Sequence, residues 1–197
     1  MAILSPTRRG LQILLDLCCV FCKEFCIEFN IKKSKVMIFG KAVGDGTYSP
    51  LFLQGCELDF VSEYKYLGTT VTAGKSLSFS AISDLRSFHR ASNAIFYSPV
   101  KPHEQILMTL LYTNCVPILS YACAVKEYSP SNMSDCNTAI NNAIRKIFSF
   151  SRTESVRHLR SCFGHNSIYE IFATAKNKFL KTASSSTNCV ISHLSKL

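Results

Sequence analysis

Over residues 51–72 this chain reads as a run of short strands; from Ser78 onward its apolar side chains recur every three to four residues. That change of period, centred on Ala73-Gly74-Lys75-Ser76, limits the fold more than any other feature. It predicts helices over 79–97, 103–114, 117–125, 132–149, 154–163 and 167–183, punctuated by Pro102, Pro117 and Pro130. The part before it is mixed. Residues 1–5 read as the end of a strand, with Ser5 as a helix cap and Pro6 in the first turn. Apolar residues at 11, 14, 15, 18, 22 and 25 predict an amphipathic helix over 7–26. Residues 27–30 and 35–39 read as short strands around the basic turn Lys32-Lys33-Ser34-Lys35, and Gly44-Asp45-Gly46 as a loop. Residues 51–72 read as a β-meander with a turn at Gln54-Gly55 and a break at Gly68. The expected class is α+β: a small β-meander part, 1–75, followed by an all-helical region, 76–197, with no internal repeat.

With 197 residues the chain can bury a core without disulfide staples, and 47% hydrophobic content excludes a disordered chain. Lys and Arg exceed Asp and Glu by 22 to 13, and the sequence pI is about 9.1. That balance points to an anionic partner, nucleic acid or an acidic membrane face. The excess is uneven. Arg145, Lys146, Arg152, Arg157, Arg160, Lys176, Lys178 and Lys181 face only Glu154 and Glu170 over 145–181. Phe148, Phe150, Phe163 and Tyr169 interleave with them. Such a pattern grips phosphates and stacks on bases or sugars, or it is a solvated cationic face over an aromatic core.

Most of the 10 Cys sit inside apolar helical patterns, as small hydrophobes of an intracellular, reducing compartment. Cys19 and Cys22 have a metal-ligand spacing, but they fall mid-helix, where Cys18, Cys22 and Cys26 form one packing stripe. His158, Cys162 and His165 have no evident fourth ligand. Glu57 and Asp59 share one face of a strand, read as the polar outside of a hairpin. No metal site is expected. Residues 40–47 have the wrong order for a phosphate-binding loop, and no nucleophile elbow or zinc-protease helix occurs.

The uncharged run 106–125 is long enough to span a bilayer. Thr109, Thr113, Asn114, Pro117 and Ser120 favour two buried helical pieces broken near Pro117, with a membrane-associated helical protein as the alternative. The run after Arg8-Arg9 is interrupted by Gln12 and Asp16 and lacks a cleavage site. Ser195-Lys196-Leu197 has the form of a peroxisomal address, but nothing before it points to a peroxisomal enzyme, and a chance ending is the reading taken.

Five segments occur in an informative order: 5–12; Phe29-Asn30-Ile31-Lys32-Lys33-Ser34-Lys35-Val36-Met37-Ile38-Phe39-Gly40; Tyr64-Lys65-Tyr66-Leu67-Gly68; 114–121, around Val116-Pro117; and Arg145-Lys146-Ile147-Phe148. In order and spacing they resemble the C-terminal part of a reverse transcriptase from a non-LTR (LINE-like, jockey-type) retrotransposon. The resemblance implies the end of a polymerase palm (1–75) followed by a helical thumb (76–197). In that family two palm aspartates of a Tyr-x-Asp-Asp turn and an earlier palm aspartate hold Mg2+. Those aspartates have no counterpart here, so the resemblance implies an RNA-directed DNA polymerase fragment that is inactive alone. By the same likeness Lys33 corresponds to a lysine that can act as general acid toward the leaving pyrophosphate. Tyr66, Leu67 and Gly68 correspond to the hairpin that grips the primer end. Arg145, Lys146, Arg152, Arg157 and Arg160 are the expected contacts to a template–primer duplex. The rival reading is a stand-alone helical nucleic-acid-binding or scaffold protein.

Overall fold

Thr7 starts the first helix, α1 (Arg8–Glu24). Its backbone is extended and its hydroxyl accepts from the Gly10 N–H at 3.1 Å. This corrects the expected cap: Ser5 lies two residues too early, and its own hydroxyl donates to the Thr7 carbonyl. One face of α1 buries Leu15 and Cys22. Beside it, polar side chains hold the backbone of 49–54. Arg8 donates to the carbonyls of Ser49 and Pro50. The Gln12 amide both donates to and accepts from the backbone of Phe52, at 2.9 Å each. Cys19 accepts from the Gln54 N–H at 3.3 Å. The residue that interrupts the apolar run in sequence thus acts as a strand partner. Helix α1 ends before Cys26, which is exposed at φ +53, so the expected stripe of cysteines stops at Cys22.

Next, β1 (Lys35–Val36) pairs in parallel with β4 (Asp59–Phe60), while β2 (Phe52–Leu53) and β3 (Cys56–Glu57) form a hairpin. β5 (Glu63–Tyr66) pairs with β6 (Thr69–Thr72), and β7 (Ser78–Phe79) is the third strand of that sheet. The expected single meander is therefore corrected: β4 leaves it for a partner 24 residues upstream. Glu57 and Asp59 flank buried Leu58 as alternation predicts, yet they belong to strands with different partners. The expected strands at 1–5 and 27–30 are absent, and 35–39 shortens to Lys35–Val36. Asn30 instead caps a single 3-10 turn, Ile31–Lys33. Leu15, Val36, Leu51, Leu53 and Leu58 form the core here.

The rest is helical: α2 (Ile82–Phe96), α3 (Glu104–Leu110), α4 (Val116–Ser120), α5 (Pro130–Ile147), α6 (Arg157–Cys162) and α7 (Ile168–Ser184). Between α3 and α4 the chain makes a π-helical turn, Leu111–Cys115. Pro117 has no N–H to give the Thr113 carbonyl, and the widened turn absorbs the fault. Ala122, at φ +55, ends the predicted 117–125 helix early. Phe88, Met108, Leu111, Cys115, Leu119, Cys136, Ile140 and Ile144 form the centre of this core. Among the described residues no helix is long and apolar enough to cross a membrane.

This computed structural model describes residues 1–40, 48–99, 102–188 and 191; the loop read at 44–46 and the terminal Ser195-Lys196-Leu197 lie outside them. The fold is α+β. The chain divides into two compact units, Met1–Ser78 and Phe79–Leu197.

Candidate nucleic-acid interface

Ser129 opens α5 by accepting from the Asn132 N–H at 3.2 Å, with Pro130 in the first turn. Cys136, Ala139, Ile140, Ala143, Ile144 and Ile147 bury one face. Asn137, Asn141 and Arg145, each four residues from the next, make a polar stripe beside it. After the helix, Ser149 at φ +54 reverses the chain and the Phe150 N–H bonds the Arg145 carbonyl at 2.9 Å. The loop then comes back along α5. Arg145 Nε donates to the Glu154 carbonyl at 2.9 Å, and buried Val156 anchors the start of α6. Arg157 and Arg160, one turn apart on α6, thereby come to the side of Arg145. Helix α7 closes the third side with a capping box: Glu170 accepts from the Ser167 N–H and hydroxyl, and Ser167 accepts from the Glu170 N–H.

Arg145, Arg157 and Arg160 line one open, mostly polar cleft of about 320 Å3, with Asn137, Asn141 and Tyr169. None of the three guanidiniums has a carboxylate within 4.0 Å among the described residues. Glu170, the carboxylate in the lining, is occupied at the start of α7. The Ser167 backbone and side-chain hydrogen bonds hold its carboxyl below the usual range, helped by the fields of Arg160 and Arg157. Arg160 is fixed on one side by Asn141 Oδ1, at 3.4 Å. It also faces Tyr112, whose hydroxyl burial pushes up to about 12 against the pull of the Arg160 charge. The Tyr112 ring stacks on His165 with centroids 3.8 Å apart. Burial lowers the His165 pKa, which keeps that imidazole neutral in the stack near neutral pH.

The remaining expected cations lie elsewhere. Lys146 places its ammonium 4.7 Å from the Phe96 ring and 4.3 Å from the Tyr97 ring, clamping α5 to the end of α2 by cation–π attraction. Arg152 sits in the exposed loop between α5 and α6, outside the cleft lining. Lys176 is paired with Glu127 at 2.8 Å. Phe148 packs on Phe150 and Phe163; Phe148 and Phe163 lie against the core, whereas Phe150 and Tyr169 stay exposed, Tyr169 at 49% in the cleft. Asn137 and Asn141 are cleft residues without a sequence expectation; the signal for them is their four-residue spacing from Arg145.

In the other unit, Asn30 Oδ1 accepts from the Lys33 N–H at 3.1 Å, and the Tyr64 hydroxyl donates to the Lys33 carbonyl at 2.6 Å. The lysine turn and the strand leading into the Tyr66-Leu67-Gly68 hairpin are therefore tied together. Leu67 and Gly68, at φ +46 and +79, form a two-residue mirror-image turn, with Leu67 74% exposed at its tip. Among the described residues no group of three His, Cys, Asp or Glu could hold a metal ion. Asp59 is engaged by Lys35, and Glu57 has no third carboxylate beside it, so the donors present do not fit a two-metal site. Comparison with protein-family models, with curated proteins and with solved structures finds no match to this chain.

Proposed function

We propose that the chain is part of a retrotransposon-type RNA-directed DNA polymerase, and that its residual capacity is binding of a template–primer through the helical unit. The observation that carries the binding is the convergence of Arg145, Arg157 and Arg160 on one cleft with no carboxylate within ion-pair distance among the described residues. Three guanidiniums against the one carboxylate of Glu170 leave the cleft net positive, and an anion relieves that excess. Each guanidinium offers a planar fork of donors that matches phosphate oxygens. Support for the polymerase part is narrower: the order of the Asn30–Ser34 turn, the Tyr66–Gly68 hairpin and the basic helices. Contacts of this kind go to the backbone and read no sequence. The chain contains no Tyr-x-Asp-Asp, so its polymerase chemistry would need carboxylates from elsewhere.

The measurement is fluorescence anisotropy of a labelled primer–template against the full chain at several salt concentrations. Three neutralised phosphates release their counterions, so raising salt from about 50 to about 200 mM should weaken binding roughly forty-fold. Arg157→Gln, which breaks no hydrogen bond of the fold, should reduce the slope of log affinity against log salt by about one. Salt-independent binding, or none, overturns the binding reading. Primer extension with Mg2+ and dNTPs should yield no product, and any extension by this chain overturns the assignment of an inactive fragment.

A further inference from the structure

The cleft contains more than a phosphate needs. A backbone phosphate is satisfied by guanidiniums alone, yet this one is shared with the ring of Tyr169 and the amides of Asn137 and Asn141. We propose that it holds one nucleotide turned out of a single strand, the phosphate on Arg145, Arg157 and Arg160 and the base on Tyr169 and Asn137. This rests on the nucleic-acid reading above and names the substrate form of the same site.

Size is the first support. About 320 Å3 is at the small end of ligand pockets, room for one nucleotide and far too little for a duplex. The second is which groups remain free. The Arg157 guanidinium and the Asn137 amide make no hydrogen bond among the described residues. Arg145 and Arg160 are each fixed from behind, by Glu154 and Asn142 for one and Asn141 for the other, and each keeps further N–H donors. Preorganised donors of this sort lose little freedom when a phosphate arrives. The third support is Tyr169. It stands at the start of α7, held by the Ser167–Glu170 capping box, and its ring is in no ring stack among the described residues. An aromatic face open to water in a cationic cleft suits a base, and every base has a face to offer. In a duplex those faces are covered by neighbouring pairs; in a single strand the base can be splayed out, stacked on the ring and bonded at its edge by a free amide.

The test uses the full chain and two labelled probes, a blunt duplex and the same duplex carrying a short single-stranded overhang, at one salt concentration. The overhang probe should bind more tightly. Tyr169→Ala should lower affinity for the overhang about tenfold, the size of one lost stack, and lower that for the blunt duplex by a much smaller factor. Tyr169→Phe should restore the overhang affinity, and a matched thermal melt shows that both variants are folded. AMP should displace the overhang at concentrations where inorganic phosphate does not. If Tyr169→Ala changes neither probe, or both equally, or if phosphate competes as well as AMP, the cleft is an anion site without base recognition. The proposal then fails while duplex binding stands. If neither probe binds, the nucleic-acid reading and this inference fail together.

Discussion

Lys126 is almost wholly buried, its side chain 1% exposed, at the end of the long uncharged run. An ammonium in that position needs a partner, because moving an unpaired charge out of water costs several kcal/mol. Asp84, from the first turn of α2, supplies it at 2.7 Å, and the Tyr128 hydroxyl donates to the same carboxylate oxygen at 2.6 Å. Burial first, and then this carboxylate, push the Tyr128 pKa up, so the phenol stays a donor at any physiological pH. The sequence showed a lysine ending an apolar stretch; that it folds inward is set by Asp84, 42 residues away, which no local pattern reveals. Lys126→Met should destabilise the protein by about 3–5 kcal/mol, since Asp84 is left as a nearly buried charge without its partner. Adding Asp84→Asn should recover a large part of that loss. Urea unfolding midpoints of Lys126→Met, Asp84→Asn and the double variant measure both effects, and an additive double variant would show that the pair does not act as a unit.

At the scale of elements, legibility followed the range of the forces. The helices were readable because their buried faces repeat within a few residues; α5 shows this with Ile140, Ile144 and Ile147. Strands β1 and β4 lie within stretches that alternate as strands, but their parallel pairing was not readable, because a partner 24 residues away sets it and not their own composition. Turns were intermediate. Gln54-Gly55 and Leu67-Gly68 both take positive φ at both positions, and glycine advertises the second of each pair but not the first. Leucine is a poor choice for left-handed backbone and gains nothing from burial at the tip of β5–β6. Leu67→Asn should therefore stabilise the hairpin by about 1 kcal/mol. A thermal melt reads the gain. The same variant should bind primer–template less well where the exposed leucine contacts the primer end, and equally well where the tip is idle.

At the scale of the molecule the two units differ in how much they bury. Among the described residues, seventeen buried ones make the helical core, against five in the unit that contains α1. Helix α1 also leaves Leu17, Val20 and Phe21 exposed, and Phe25 and Ile27 follow them. An apolar surface of that kind on a small core invites association. The cleft, in turn, was half legible: its charge excess could be counted along 145–181, but the cleft itself exists only because the loop after α5 folds back and α7 closes the side. All of its walls belong to residues after Phe79, so dissection should separate stability from binding. A protein of residues 79–197 should elute as a monomer, unfold cooperatively in urea and keep the salt slope of the full chain. Residues 1–78 alone should elute as aggregates or mixed oligomers and bind primer–template weakly. Size-exclusion chromatography with anisotropy at matched salt decides it. If the salt slope follows 1–78, the dominant phosphate contacts lie in the lysine turn and hairpin, and the arginine cleft is not the principal nucleic-acid surface.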